Sequence, residues 1–170
     1  MKIADILLLD FDKEIENNRR TLERIPDDVG DWKPHDKSMA FGRLAMHCAT
    51  IPLFGLYIIE DDAMDMAAPK RPHMALEWKD RATALAALDD SAKKCRAALA
   101  AASDETLQKS WRFSFGAQLI GEAPRAAMFR GLFFDHMIHH VAQLGVYLRL
   151  NDIPVPGLYG PSADEPFGTK

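Results

Sequence analysis

Apolar residues recur every three or four positions in four long segments of the chain, the spacing that places side chains on one face of an α-helix. In the first segment Ile3, Leu7 and Phe11 form such a stripe, and the pattern ends before Pro26. Aromatic and polar residues alternate only in a short piece near Trp111, where a small hairpin or extended excursion is expected. The pattern therefore predicts an all-α fold built as a four-helix bundle. The predicted helices cover residues 3–24, 38–60, 79–102 and 124–150.

Proline positions set the expected breaks and connections. Pro52 lies inside the second helix, where it removes the hydrogen bond to the carbonyl of Cys48 and predicts a kink one turn after His47. The proline-containing loop after residue 62 is long enough to be a crossover connection between opposite ends of the bundle. Residues 151–170 are rich in proline and glycine and predict an extended C-terminal tail that packs back on the bundle. The residues expected to anchor the tail are Leu158, Tyr159 and Phe167.

Composition narrows the class of protein. The 170-residue chain is 48% apolar, enough for a sizeable core, and we expect a single domain over residues 1–170. Its net charge is −4 with both signs interspersed, which argues against nucleic-acid binding and against a polybasic membrane surface. Acidic residues interrupt the N-terminal apolar run, and no segment is expected to reach the ~20 apolar residues of a membrane-spanning helix. Cys48 and Cys95 lie in separate segments, so a soluble protein of the reducing cytoplasm is expected.

The candidate chemistry lies in the fourth helix, in the run Asp135-His136-Met137-Ile138-His139-His140. Residues four apart on a helix lie one above the other, about 5–6 Å apart at Cβ, which suits two ligands of one metal ion. At ~100° per residue, His140 lies about 40° from His136 and close to the centre of the apolar stripe. His139 falls at the margin of that stripe. His136 and His140 therefore form the inward pair.

A third imidazole comes from the second helix, where His47 stands in an otherwise apolar stripe. No carboxylate lies on the same helix faces as these three imidazoles. Buried polar rings need a group that binds their nitrogen atoms, and a divalent cation does so. The alternative is that they are ordinary core histidines, hydrogen-bonded to a neighbour, a backbone carbonyl or water. We expect His47, His136 and His140 to bind one metal ion and to leave a coordination position open. The other members of the stripe are Leu44, Ile51, Phe54 and Ile58.

The remaining candidates receive simpler interpretations. His35 and His73 fall in loops, and His139 is expected at most to line the cavity or support a ligand. Asp135 is expected to face solvent or a neighbouring helix, with a hydrogen bond to an imidazole N–H as its alternative role. Cys48 points about 100° away from the histidine stripe and is interpreted as a small core residue. The sequence identifies no catalytic acid or base.

Motifs around both histidine-bearing helices and in the tail match a known pattern. They are residues 31–35 with 42–47, 135–140 with 142–144, and 147–151 with 159–165. Taken jointly, over most of the chain, they resemble the DinB / YfiT-like family. One departure is Val141, because many relatives carry an arginine directly after the paired histidines. A function that depends on that arginine is not expected here.

The resemblance implies an all-α bundle, often dimeric, in which three histidines bind a divalent metal. These histidines map onto His47, His136 and His140, the same three that helical phase selects. Imidazole-only ligands suit zinc, nickel, copper or iron, of which zinc or nickel is expected here. Relatives include thiol-dependent transferases and an isomerase, so a metal-dependent hydrolase or thiol transferase acting on a small molecule is implied. The alternative is a stress-response protein that binds metal or a small ligand without turnover. A cytoplasmic homodimer without nucleic-acid or membrane partners is expected.

Overall fold

The computed structural model describes residues 1–71 and 74–168, and most of these residues are helical. A small three-stranded sheet accompanies the helices. The elements are α1 (Ile3–Leu22), a 3₁₀ turn (Asp27–Val29), α2 (Phe41–Thr50), α3 (Pro52–Glu60), β1 (Ala63–Asp65), α4 (Arg81–Ala101), α5 (Asp104–Gln108), β2 (Ser110–Phe115), β3 (Gln118–Pro124), α6 (Arg125–Met128), a π-helical turn (Phe129–Phe134) and α7 (Asp135–Leu150).

The core lies between the long helices. Both α1 and α2 pack against α4 and against α7. The apolar stripes predicted from the sequence face inward, and their large side chains are almost completely buried. Burial of such side chains is the main favourable term in folding. Examples from the four helical segments are Phe11, Leu44, Leu88 and Phe133.

The structure divides the second helical segment at Pro52, as the predicted kink requires. α2 ends at Thr50, and Pro52 has no N–H to offer the carbonyl of Cys48. The side-chain amide of Asn18, on α1, donates to that carbonyl at 2.8 Å instead. A buried carbonyl without a donor costs free energy, so this bond stabilises the division. It also ties the end of α2, one turn from His47, to α1.

The three-stranded sheet makes the all-α prediction inexact. β2 and β3 form the expected hairpin, in which Trp111 and Phe113 alternate with polar residues. Gly116 turns the hairpin with a φ of +57°, a left-handed conformation that glycine adopts without strain. β1 lies in the loop expected to be a plain crossover and pairs in parallel with β2, with Ala63 opposite Arg112. Three residues are too few for a recognisable alternation, so this strand was not predicted.

The fourth predicted helix begins after Pro124, which ends β3, and a π-helical turn interrupts it. Phe133 and Phe134 are both buried, although neighbouring residues point about 100° apart in a regular α-helix. The wider π-helical turn lets both rings pack in the core. Such turns are rare and frequently lie at functional sites, and this one ends two residues before His136.

The C-terminal segment after α7 is extended and packs on α1, as predicted. Glu165 forms an ion pair with Arg20 at 2.6 Å. Leu158 packs against the core, and the Tyr159 hydroxyl donates to a buried carboxylate of α1. Phe167 is 86% exposed, so its prediction as an anchor is wrong.

The stretch Phe41–Glu60 is long and apolar enough to cross a membrane by length and composition alone, with a mean hydropathy of 1.3. The expectation that no segment reaches this length is therefore wrong for this stretch. However, 83% of the apolar 18-residue span within it is buried inside the protein, as in the core helix of a soluble protein. Length and composition alone are weak evidence for a membrane span.

Candidate metal centre

The three histidines predicted to share a metal lie together in the structure. His47 comes from α2, and His136 and His140 come from the first turns of α7. One ring nitrogen from each histidine lies within 4.8 Å of those of the other two. Their ring centroids are 5.1, 4.5 and 4.6 Å apart. The cluster therefore has a donor set and a spacing that can hold one metal ion.

The shortest nitrogen–nitrogen distance tests the fit to a metal. Nε2 of His47 lies 3.3 Å from Nε2 of His136. Two imidazole nitrogens bound at about 2.0–2.1 Å to one tetrahedral ion would lie about 3.3–3.4 Å apart. The same distance suits a hydrogen bond between one protonated and one unprotonated nitrogen. The residues present thus fit a metal centre, and His47 and His136 can also satisfy each other without it.

Burial keeps these imidazoles neutral near pH 7. It lowers the pKa of His47 to about 4, with further repulsion from His140 and His136. Burial also lowers the pKa of His136 to about 4, helped by His140 and His139 and opposed by a hydrogen bond with the backbone of Leu132. A metal ligand needs a free lone pair, which only a neutral imidazole offers. The environment therefore favours the form that binds metal.

A hydrogen bond that was not predicted orients His140. Its Nδ1 lies 2.8 Å from the amide oxygen of Gln143, so the ring N–H donates there and the lone pair is left on Nε2. Burial lowers the pKa of His140, and the bond to Gln143 opposes that effect. A signal for this contact was present in the sequence, because residues three apart on a helix are neighbours.

The other described histidines lie outside the cluster. His139 is exposed, with its ring edge-on to that of His140 at 4.9 Å between centroids. His35 is exposed, and its Nδ1 accepts a hydrogen bond from the backbone N–H of Lys37. His73 lies outside the described residues. Helical phase thus assigned His136, His139 and His140 to the correct sides of the helix.

Three further residues singled out in the sequence also lie apart from the cluster. Asp135 is exposed, and the hydrogen-bonding role considered for it is filled by Gln143. Cys48 is fully buried, and burial raises the pKa of its thiol far above the ordinary value, which leaves it a core residue and not a nucleophile. Val141 is buried in the core as well.

A cavity of about 560 Å³ lies beside the cluster, and His47 and His136 form part of its lining. Asp61 and Asp65 also line it, although neither was predicted. Asp61 is held by the guanidinium of Arg71 at 2.7 Å. Asp65 accepts two backbone N–H bonds, at 2.9 and 2.8 Å, which lower its pKa. Asp61 is therefore paired with a cation, and the bonds to one oxygen of Asp65 lower its pKa, so both carboxylates are poorly suited to act as a general base.

Comparisons with known proteins identify the fold. The family model described as the DinB superfamily matches residues 10–144. The crystal structure of a DinB-like protein from Bacillus cereus is similar with a TM-score of 0.64 at 20% identity, over 89% of this chain and 95% of that chain. A DinB-like protein from Bacillus subtilis gives a TM-score of 0.66 at 21% identity, over 86% of this chain and 94% of that chain. A search of curated proteins finds no match. At these identities the structural likeness shows a DinB-like fold alone.

Proposed function

The chain belongs to the DinB superfamily, and from its histidine cluster we propose that it is a metal-dependent enzyme. His47, His136 and His140 are the proposed ligands of one divalent cation. The observation that carries the proposal is the convergence of three imidazoles within 4.8 Å of one another beside a cavity. Three protein ligands leave a coordination position open, which is typical of catalytic and not of structural sites.

Zinc or nickel is the proposed metal, because imidazole-only donor sets suit both. When bound, such an ion supplies Lewis acidity that lowers the pKa of water or of a thiol, so that a nucleophile forms near neutral pH. The proposed reaction is hydrolysis of a small molecule or transfer of a low-molecular-weight thiol to it.

The cavity residues favour the thiol reaction of these two. Hydrolysis gains from a general acid or base placed at the reacting atoms, and the lining carboxylates Asp61 and Asp65 are both held by other partners. A thiol has an ordinary pKa of about 8.5, against about 15.7 for water, so it loses its proton with less help from a base. In both reactions Gln143 keeps the proton of His140 on Nδ1, and burial keeps the other two rings neutral.

The second candidate is a stress-response protein that binds metal or a small ligand without turnover. The observation in its favour is that the two Nε2 atoms of His47 and His136, 3.3 Å apart, also suit a direct hydrogen bond. Such a pair is stable without catalysis. The occupied carboxylates of the cavity are equally compatible with simple binding.

The wider assembly is also part of the proposal. Each of α1 and α2 contacts both α4 and α7, and this arrangement supports a four-helix bundle. Exposed apolar side chains on α1 and α7 support a homodimer through these helices, and free buried cysteines are compatible with a cytoplasmic location. The exposed side chains are Leu9, Val146 and Leu150.

The test is metal analysis of purified protein, with His47→Ala as the variant and His139→Ala as the matched control. We expect one zinc or nickel ion per chain in the wild type and in the control, and loss of metal in His47→Ala. A wild type without stoichiometric metal would overturn the metal-dependent enzyme and the metal-binding form of the second candidate. Bound metal without thiol-transfer or esterase turnover would favour the binding protein.

A further inference from the structure

We propose that the cavity beside His47 and His136 binds an uncharged, largely apolar small molecule, and that Gly131 leaves room for it. The inference rests on the proposed function in one respect, because it takes the bound molecule to be the substrate of the proposed enzyme. Binding itself depends on the cavity alone, so it can be tested without metal.

The size and lining of the cavity suit such a molecule. Its volume of about 560 Å³ falls within the range of roughly 300–1,000 Å³ that is typical of small-molecule sites. Methionine side chains are flexible and adapt to ligands of different shape. The main apolar side chains of the lining are Phe54, Met64, Met66, Met74, Phe113 and Leu132.

The charged groups around the cavity are already paired or lie in solvent. Arg71 donates to both carboxylate oxygens of Asp61, at 2.7 and 3.0 Å, and its guanidinium lies 5.0 Å from the ring centre of Tyr57. Asp65 is held by backbone N–H groups. Lys70 is exposed. An ionic ligand would lose hydration without gaining a buried counter-charge among the described lining residues, which favours an uncharged ligand.

Among the lining residues that the structure describes, the polar groups that carry no charge are few. They are the hydroxyls of Tyr57 and Ser114 and the rings of His47 and His136. A small number of polar groups in an apolar cavity fixes the orientation of a ligand. The ligand therefore needs a polar end that reaches the imidazoles and an apolar body that fills the remaining space.

Gly131 contributes empty space to this cavity. It lies in the π-helical turn, and a Cβ added there would meet no atom within 4 Å. Gly55 is different, because an added Cβ would lie 2.9 Å from Sγ of Cys95 in the core. A Cβ at position 131 therefore meets no neighbour, and a large side chain built on it would take up room at the cavity wall.

The test compares two fluorescent probes that share one aromatic body, uncharged N-phenyl-1-naphthylamine and anionic 1-anilinonaphthalene-8-sulfonate. Each is titrated into metal-free, full-length protein, and we expect the uncharged probe to bind more tightly. Gly131→Trp should weaken its binding by about tenfold or more, because each methylene-sized part of the probe that stays in water weakens binding about fourfold. Ala68→Trp, in another part of the lining, should have the same effect. Gly160→Trp is the matched control, since an added Cβ there also meets nothing within 4 Å.

Tighter binding of the anionic probe would overturn the inference. Unchanged binding of the uncharged probe to the two cavity variants would overturn it as well, and circular dichroism establishes which variants are folded. If Gly131→Trp does not fold, Ala68→Trp decides the question. Metal binding is measured separately on the same wild-type protein. Probe binding without metal binding refutes the proposed function alone, and metal binding without probe binding refutes this inference alone.

Discussion

Replacing Gln143 by leucine tests the metal centre through one hydrogen bond and leaves all three ligands in place. The change keeps most of the side-chain volume and removes the amide oxygen that lies 2.8 Å from Nδ1 of His140. His140 is only 9% exposed, so water does not readily replace the lost acceptor. The ring proton is then free to move to Nε2, the nitrogen that the metal needs. Loss of such an outer hydrogen bond weakens metal binding by about 10–100-fold, or about 1.4–2.7 kcal/mol.

The assay is competition for zinc between the protein and a chromogenic chelator at pH 7.5. Gln143→Glu is the control, because a carboxylate accepts the same hydrogen bond and increases the basicity of the imidazole. We expect its zinc affinity to equal or exceed that of the wild type. Equal affinities for the wild type and Gln143→Leu would refute the assignment of Nε2 of His140 as a ligand atom, and so would an equal loss in both variants.

Three further predictions concern stability. The metal-free protein should become less stable as the pH falls from about 6.5 to about 4, because the unfolded chain protonates His47 and His136 near 6.5 and the folded protein only near 4. Urea midpoints between pH 8 and pH 4 measure this effect, and an equally steep dependence in a His47→Gln/His136→Gln variant would contradict it. Asn18→Leu should lower the free energy of unfolding by about 1–3 kcal/mol, because the carbonyl of Cys48 loses its donor; an unchanged urea midpoint would count against this. Arg125→Leu should lower it by about 2–4 kcal/mol, because the buried guanidinium donates to carbonyls at the end of α3 and just beyond it; a thermal melt like that of the wild type would argue otherwise.

The angular positions of residues around each helix were sufficient to find the cluster. Two of its histidines lie on one regular helix, and the third lies in the apolar stripe of another. His136 and His140 share a face in any helix, and His47 is placed by the apolar residues around it. The same reasoning placed His139 at the exposed margin, where the structure has it. It required no knowledge of how the helices are connected.

Features that depend on contacts distant in sequence could not be predicted in this way. Pro52 indicates that the carbonyl of Cys48 loses its donor, but nothing in the sequence identifies Asn18, thirty residues before Cys48, as the replacement. β1 forms only because β2 lies beside it. The π-helical turn follows from the packing of Phe133 and Phe134 together, which a regular period of ~100° does not describe.

The parallel pairing of β1 with β2 has a consequence for how this protein can change its specificity. The proposed ligands stand on helices of the core, whereas Met64 and Phe113, paired across the two strands, contribute to the cavity lining from the sheet. Under the proposed function, the metal ligands thus lie on helices, whereas part of the lining that would contact the substrate lies on strands. In the proposed enzyme, substitutions in the strands and their loop would change which small molecules fit while the histidines keep their positions, so variants for new substrates are best sought there.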